Sequence, residues 1–298
     1  MLKHEVSILE VTGLSNYIMQ APTGLARRRL RLSEAETMDR MLQTAVAMLG
    51  RGGLTVSLDH ISLEEVIREA GVSRSAVYRR WPYKDLFFRD VVIELAGNAV
   101  PGIFDQEVRL LRQVVAEREE WLKTPELRSG LVTELIRQLA LLDFEMLFES
   151  ATFRTYLTLN AAFLSIADGE AREHVRAALA EAGQAHIARV AAAWELLASL
   201  FGFRLSPSTD ATFESLATLL DASLRGLVLA ASSEPGIVTQ RVRAKPFGAV
   251  EEADWSLLAL SFANIAWGML EPDPAVAWDE DRVATVHETV RTLRANDL

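Results

Sequence analysis

From Glu69 to Trp81 the chain reads EAGVSRSAVYRRW, and no long helix or strand can run through that stretch. Gly71 sits where a left-handed residue ends a helix, Ser73 suits the cap of a new one, and Pro82 bars helical backbone at the residue before it. Between these signals lies one short helix. On a helical wheel Val77 and Trp81, four apart, face inward with Val72. Arg74 and Tyr78 share the outward face, Ser75 and Arg79 lie beside them, and Ala76 and Arg80 take the flank. A helix before Gly71, with Leu63, Val66, Ile67 and Ala70 on its buried side and Ser62 at its cap, completes a helix, glycine turn and second helix. That is the helix-turn-helix pattern, whose second helix enters the major groove of DNA.

The charge balance asks for a local explanation of this stretch. The chain of 298 residues has a formal net charge of -10. Residues 1–97 carry 13 Lys+Arg against 12 Asp+Glu, and the remainder carries 18 against 29. An acidic body repels nucleic acid, so contact with DNA has to come from a basic face near the N-terminus. Lys84 adds to that face. A lysine in the first turn of a helix opposes the macrodipole, a placement that makes sense where a phosphate meets the lysine and the free backbone N–H groups together.

Helical periodicity and turn signals alternate along the rest of the chain, and strand-like alternation is nearly absent. The expectation is an all-α protein with an N-terminal three-helix DNA-binding unit and a larger all-helical C-terminal unit. Residues 1–32 read as a flexible arm, 33–97 as the DNA-binding domain and 98–298 as an effector-binding and dimerisation domain. Helix one spans about 34–49, with Ser33 and Glu36 in the spacing of a capping box and Met38, Met41, Leu42, Ala45 and Leu49 on one stripe. "LTVSLDHI" (Leu54 to Ile61) reads as a loop or one short strand. A helix of about 84–96 buries Phe87, Val91 and Leu95, with Phe88 and Val92 alongside. Later helices are expected at about 105–122, 125–149, 152–167, 170–203, 209–231, 251–270 and 276–295, with residues 232–248 as the one long break.

Ile67 to Phe87, "IREAGVSRSAVYRRWPYKDLF", resembles the DNA-binding motif of the tetracycline-repressor (TetR) family of bacterial regulators, and Gly52 to Leu95 resembles its DNA-binding domain. Gly71, Val72, Ser73, Tyr78, Lys84 and Leu86 match the family pattern, with Asp85 as its usual acidic residue. Ala76 replaces a usual threonine, Arg80 a usual histidine and Trp81 a usual phenylalanine, and the loop Leu54 to Ile61 is longer than usual. The resemblance implies that Arg74, Ser75 and Tyr78 approach base edges, Arg74 as the reader of a guanine. It implies phosphate contacts for Ser62, Ser73, Arg80, Tyr83 and Lys84, with Arg79 assigned to phosphates beside them. It further implies a homodimer on double-stranded operator DNA and a small-molecule effector in the C-terminal domain.

Other features carry two readings each. Arg27, Arg28, Arg29 and Arg31 suit an arm inserted in the minor groove or a solubilising tail. Trp121, Phe144, Phe148, Phe153, Tyr156, Phe163 and Trp194 suit either a ligand pocket or plain core. Leu216, Leu220, Gly226, Leu227 and Ala230, with Leu258, Phe262, Ala263 and Ala266, suit a four-helix dimer bundle or the innermost helices of one protomer. Five scattered histidines and no cysteine give no metal site, no cofactor motif is present, and no G-x-S-x-G or Walker loop appears. Apolar runs such as Leu257 to Leu270 fall short of the roughly 20 residues a membrane span needs. With no export leader, the expectation is a cytoplasmic regulator that is not an enzyme. The competing reading is an all-α ligand-binding protein or enzyme whose N-terminal helices only pack.

Overall fold

A computed structural model of the chain describes residues 32–52, 62–99, 105–163 and 169–297. The four arginines of the arm and the segment Leu54 to Ile61 lie outside the described residues. Helix α1 (Glu34–Gly52) starts at a complete capping box: Ser33 N donates to Glu36 Oε2 at 2.7 Å and Glu36 N donates to Ser33 Oγ at 3.1 Å. The bond from Ser33 N first, and then the Ser33 hydroxyl, favour the charged Glu36 carboxylate and hold its pKa below the usual value. Met41, Leu42, Ala45 and Leu49 are buried, as the stripe requires.

Three further helices build the N-terminal bundle: α2 (Leu63–Ala70), α3 (Arg74–Arg80) and α4 (Lys84–Ala99). Helix α4 has two apolar faces at work. It packs on α1 and also runs along α7 (Ala151–Phe163) and α8 (Glu170–Leu200), so the N-terminal bundle and the helices after it share one hydrophobic cluster.

The segment expected as one helix over about 105–122 is α5 (Asp105–Glu117) followed by a 3-10 turn at Glu119–Leu122. Helix α6 (Pro125–Glu149) begins on the Thr124 side chain, which accepts from Leu127 N at 3.3 Å. Helix α9 (Phe213–Ser233) follows, then the short α10 (Gly236–Thr239), α11 (Leu257–Met269) and α12 (Glu280–Thr292).

Among the described residues, four three-residue strands accompany the helices. β1 (Phe203–Leu205) pairs antiparallel with β4 (Leu270–Pro272), and β2 (Val242–Ala244) pairs antiparallel with β3 (Ala253–Trp255). The first pair ties the end of α8 to the end of α11. The second turns the expected break at 232–248 into a hairpin and shortens the helix expected from 251, which starts only after Ser256 caps it. Such short strands leave almost no alternation to detect. The turn into β1 uses Gly202 at φ 70, where a Cβ would stand 3.3 Å from Trp278 and Arg128.

Tryptophans of this region each place their indole N–H on an oxygen, as buried indoles must. Trp255 donates to Ala244 O at 3.2 Å, Trp267 to Thr133 Oγ1 at 3.0 Å and Trp278 to Leu122 O at 2.6 Å. By length and composition α9 is apolar enough to cross a membrane, an exception to the expected shortfall of apolar runs. In the fold it packs one face on α6, α8, α10 and α11 and carries Asp221 and Arg225 mid-helix.

Candidate nucleic-acid interface

Helix α3 is positioned by apolar contacts on one side only. Val77 is 0% exposed and Trp81 1%, while Arg74, Ser75, Tyr78, Arg79 and Arg80 are all exposed. The turn into it is set by Gly71, in the left-handed region at φ 65, whose N–H reaches Ile67 O at 3.1 Å. Ser62 and Ser73 hold the N-cap positions in extended conformation, but neither hydroxyl makes a capping bond. The Ser73 hydroxyl bonds that of Ser75 instead, at 2.9 Å.

Behind α3, Trp81 meets Phe87 edge to face at 5.1 Å and donates its indole N–H to Asp90 Oδ2 at 2.9 Å. The other Asp90 oxygen takes two bonds from Arg89, at 2.8 and 2.7 Å. Arg80 reaches the same carboxylate at 3.4 Å and lies over the Trp81 ring. One acid of α4 therefore fixes the C-terminal end of α3, and Arg80 is half tied down. Tyr83 is 72% exposed, and Lys84 stands at the start of α4 with its ammonium 4.9 Å from the Phe88 ring centre.

The outward face has an acid of its own. Glu64, in the first turn of α2, lies 2.6 Å from the Arg74 guanidinium and accepts from the Tyr78 hydroxyl at 2.8 Å. One carboxylate thus orders two of the three side chains expected at base edges. In sequence it reads only as an acid suited to the start of a helix. The Tyr78 phenol has its pKa raised by that bond first, then by burial and the Glu64 charge, because each favours the protonated form. Glu64→Gln is expected to bring the Tyr78 titration back down toward its ordinary 10.0, read by ultraviolet absorbance. An unmoved titration would mean that the two side chains do not meet in solution.

No family model matches the chain. An uncharacterized HTH-type transcriptional regulator of Mycobacterium bovis is 30% identical over 106 residues, covering 35% of this chain and 54% of that protein. The chain thus spans about half the length of the curated relatives it matches. This chain resembles the TetR family. Among solved structures, a TetR-family regulator from Agrobacterium tumefaciens shares 16% identity over 67% of this chain and 90% of its own, with a TM-score of 0.39. The TetR regulator TylP from Streptomyces fradiae shares 15% over 87% and 99%, with a TM-score of 0.41.

Beyond the N-terminal helices, a cavity of about 210 Å³ lies among α5, α6, α7, α8 and α9. Of the aromatic residues expected in a pocket, Phe153, Tyr156 and Trp194 line it. Phe144 is buried elsewhere in the core, Phe148 is half-buried against it, and Trp121 packs under the Arg118 guanidinium at 5.4 Å. Phe163 ends α7, and its side chain lies outside the described residues. Sequence reasoning passed over the polar lining of the cavity: Glu107, Asp143, His186, Asp221 and Arg225. Single charged residues on helices far apart in sequence give no motif to find.

The expected dimer helices divide. Leu258, Phe262, Ala263 and Ala266 of α11 are buried by the chain's own α6 and α9, as are Leu216 and Leu220 of α9. Their small residues serve close packing inside one protomer, and all six sit in its core. Gly226 and Ala230 are exposed and Leu227 is half-buried. Together with Leu219 and Leu229, 50% and 62% exposed, they give α9 an outward apolar stripe.

Proposed function

We propose that the chain is a sequence-specific DNA-binding transcriptional regulator, working as a homodimeric repressor released from its operator by a small molecule. The observation that carries the reading is the two-sided α3: a buried Val77 and Trp81 hold an exposed face of Arg74, Ser75 and Tyr78 on a short helix after a left-handed glycine. In this reading residues 33–97 meet DNA and residues 98–298 sense the effector and dimerise. Arg74, Ser75 and Tyr78 meet base edges, and Ser62, Ser73, Arg79, Arg80, Tyr83 and Lys84 meet phosphates. Glu64 orders Arg74 and Tyr78 in the free protein and gives way to DNA on binding.

The exposed apolar stripe of α9 supports a two-fold bundle between copies, since a patch of this kind marks an interface. Release then follows from spacing. Two reading helices have to lie about one DNA turn apart, roughly 34–36 Å, to enter successive major grooves. Helix α4 rests on α7 and α8, whose residues also line the cavity. A ligand that prefers another arrangement of those walls shifts the population by its differential affinity.

Fluorescence anisotropy with the DNA upstream of the chain's own gene tests the whole reading. The wild-type chain should bind it well above random duplex. Arg74→Ala should lose about 1–3 kcal/mol on that DNA and relax preference at one position in each half-site. Equal losses on operator and random DNA would reassign Arg74 to a phosphate.

A further inference from the structure

The cavity among α5 to α9 is mostly apolar, and two polar groups interrupt its walls. In the first group, Arg225 and Asp221 of α9 form an ion pair at 2.7 Å, and Arg225 donates to the Tyr156 hydroxyl at 3.1 Å. His186 of α8 stands 3.5 Å from the same aspartate. Burial alone would raise the pKa of Asp221, but His186 and Arg225 outweigh it and keep that carboxyl below its usual value. This group carries its own counter-charge.

The second group sets acid against acid. Asp143 of α6 meets Glu107 of α5 carboxyl to carboxyl, and Asp143 Oδ1 is buried without a hydrogen-bond partner. Burial first, and then the Glu107 bond and charge, push the Asp143 pKa well above the usual value of 3.8. Two carboxyls in contact share a proton because both charges cannot be held at that separation. Among the described residues, the basic ones lining the cavity are His186 and Arg225, and both are engaged with Asp221.

We propose that this cavity takes an organic cation, with an apolar body against Phe153, Tyr156 and Trp194 and an ammonium group bonded to Asp143 and Glu107. The inference rests on the reading of the cavity as the effector site and names the effector's chemical class. An ammonium supplies up to three donors, enough for the orphaned Oδ1 and for Glu107. It also sets a positive charge against the acid pair, and a buried charge needs such a partner. A carboxylate ligand would have to displace Asp221 from Arg225 first. A neutral ligand would leave the acid pair as it is.

Seating the cation expels the proton shared by the pair into solvent. Affinity for an amine should therefore rise with pH as the free pair ionises, until the amine itself loses its charge. Asp143 and Glu107 face each other from α6 and α5; His186, Asp221 and Arg225 are the other titratable groups on the wall, with the Tyr156 phenol from α7.

Calorimetric titration of the full chain with 1-naphthylmethylamine and with its neutral counterpart 1-naphthalenemethanol reads this directly. The amine should bind at least about tenfold tighter, the size of a charge-assisted bond to a buried acid. The gap should widen from pH 6 to pH 8. Asp143→Asn and Glu107→Gln should each remove about tenfold of the amine affinity and leave that of the alcohol within about twofold. Equal affinity for the two probes, or an amine affinity unmoved in both variants, overturns the cation while the effector cavity stands. No binding of either probe overturns the effector cavity itself and the cation with it.

Discussion

Trp81→Ala is expected to destabilise the N-terminal bundle by about 3–5 kcal/mol, the usual cost of deleting a buried aromatic side chain. Trp81 is 1% exposed, packs edge-on against Phe87 and donates its indole N–H to Asp90. Its loss empties the space under α3 and frees the carboxylate that also holds Arg80 and Arg89. Helix α3 has only seven residues and no intrinsic stability to fall back on. The expected result is an early loss of helical circular dichroism on heating, with DNA binding lost in the same step. Trp81→Phe keeps the ring and drops only the indole bond, so it should cost about 1 kcal/mol and retain binding. A native melting curve for Trp81→Ala would show that Val77 alone suffices to seat the helix.

The second large effect concerns the dimer. Gly226→Glu should give a folded monomer, with sedimentation halved in mass and the helical circular dichroism unchanged. A Cβ at Gly226 meets nothing within 4 Å in the protomer, and a glycine in mid-helix is a poor helix former, so the substitution cannot harm the isolated fold. In a two-fold bundle the added carboxylate would be buried without a partner on both copies, at about 3–5 kcal/mol each. Operator affinity should then fall by two orders of magnitude or more, roughly, because a lone reading helix finds half a site. Leu229→Asp, on the same stripe, should act alike. Ala263→Glu is expected to behave differently and unfold the protein, since Ala263 is 0% exposed inside α11. A dimer that survives both α9 substitutions places the interface elsewhere.

Much of the N-terminal bundle was legible because its signals are local. Ser33 and Glu36 are three residues apart and bond across one helical turn. Gly71 takes the left-handed conformation its position called for, and Met41, Ala45, Phe87, Val91 and Leu95 fall on buried faces at helical spacing. Ser62 and Ser73 also take the N-cap positions, although neither hydroxyl makes the capping bond. The misreadings are equally physical. The strands β1 to β4 are three residues each, below the length at which alternation separates from chance.

By itself the sequence determined the elements that depend on neighbours within one or two turns: the helices, the glycine turn, and the opposition of Val77 and Trp81 to Arg74 and Tyr78. Only the tertiary structure decided which apolar faces are spent inside the protomer. The small residues of α11 and α9 look alike in a list, but α11 lies against α6 and α9 while Gly226 has open space beside it and Leu229 is 62% exposed. It also decided which lone charges meet. Glu64 reaches Tyr78 across 14 positions, and Asp143 of α6 finds Glu107 of α5. Periodicity is set by the backbone and repeats every few residues, whereas these encounters depend on how whole helices cross, which no local pattern records.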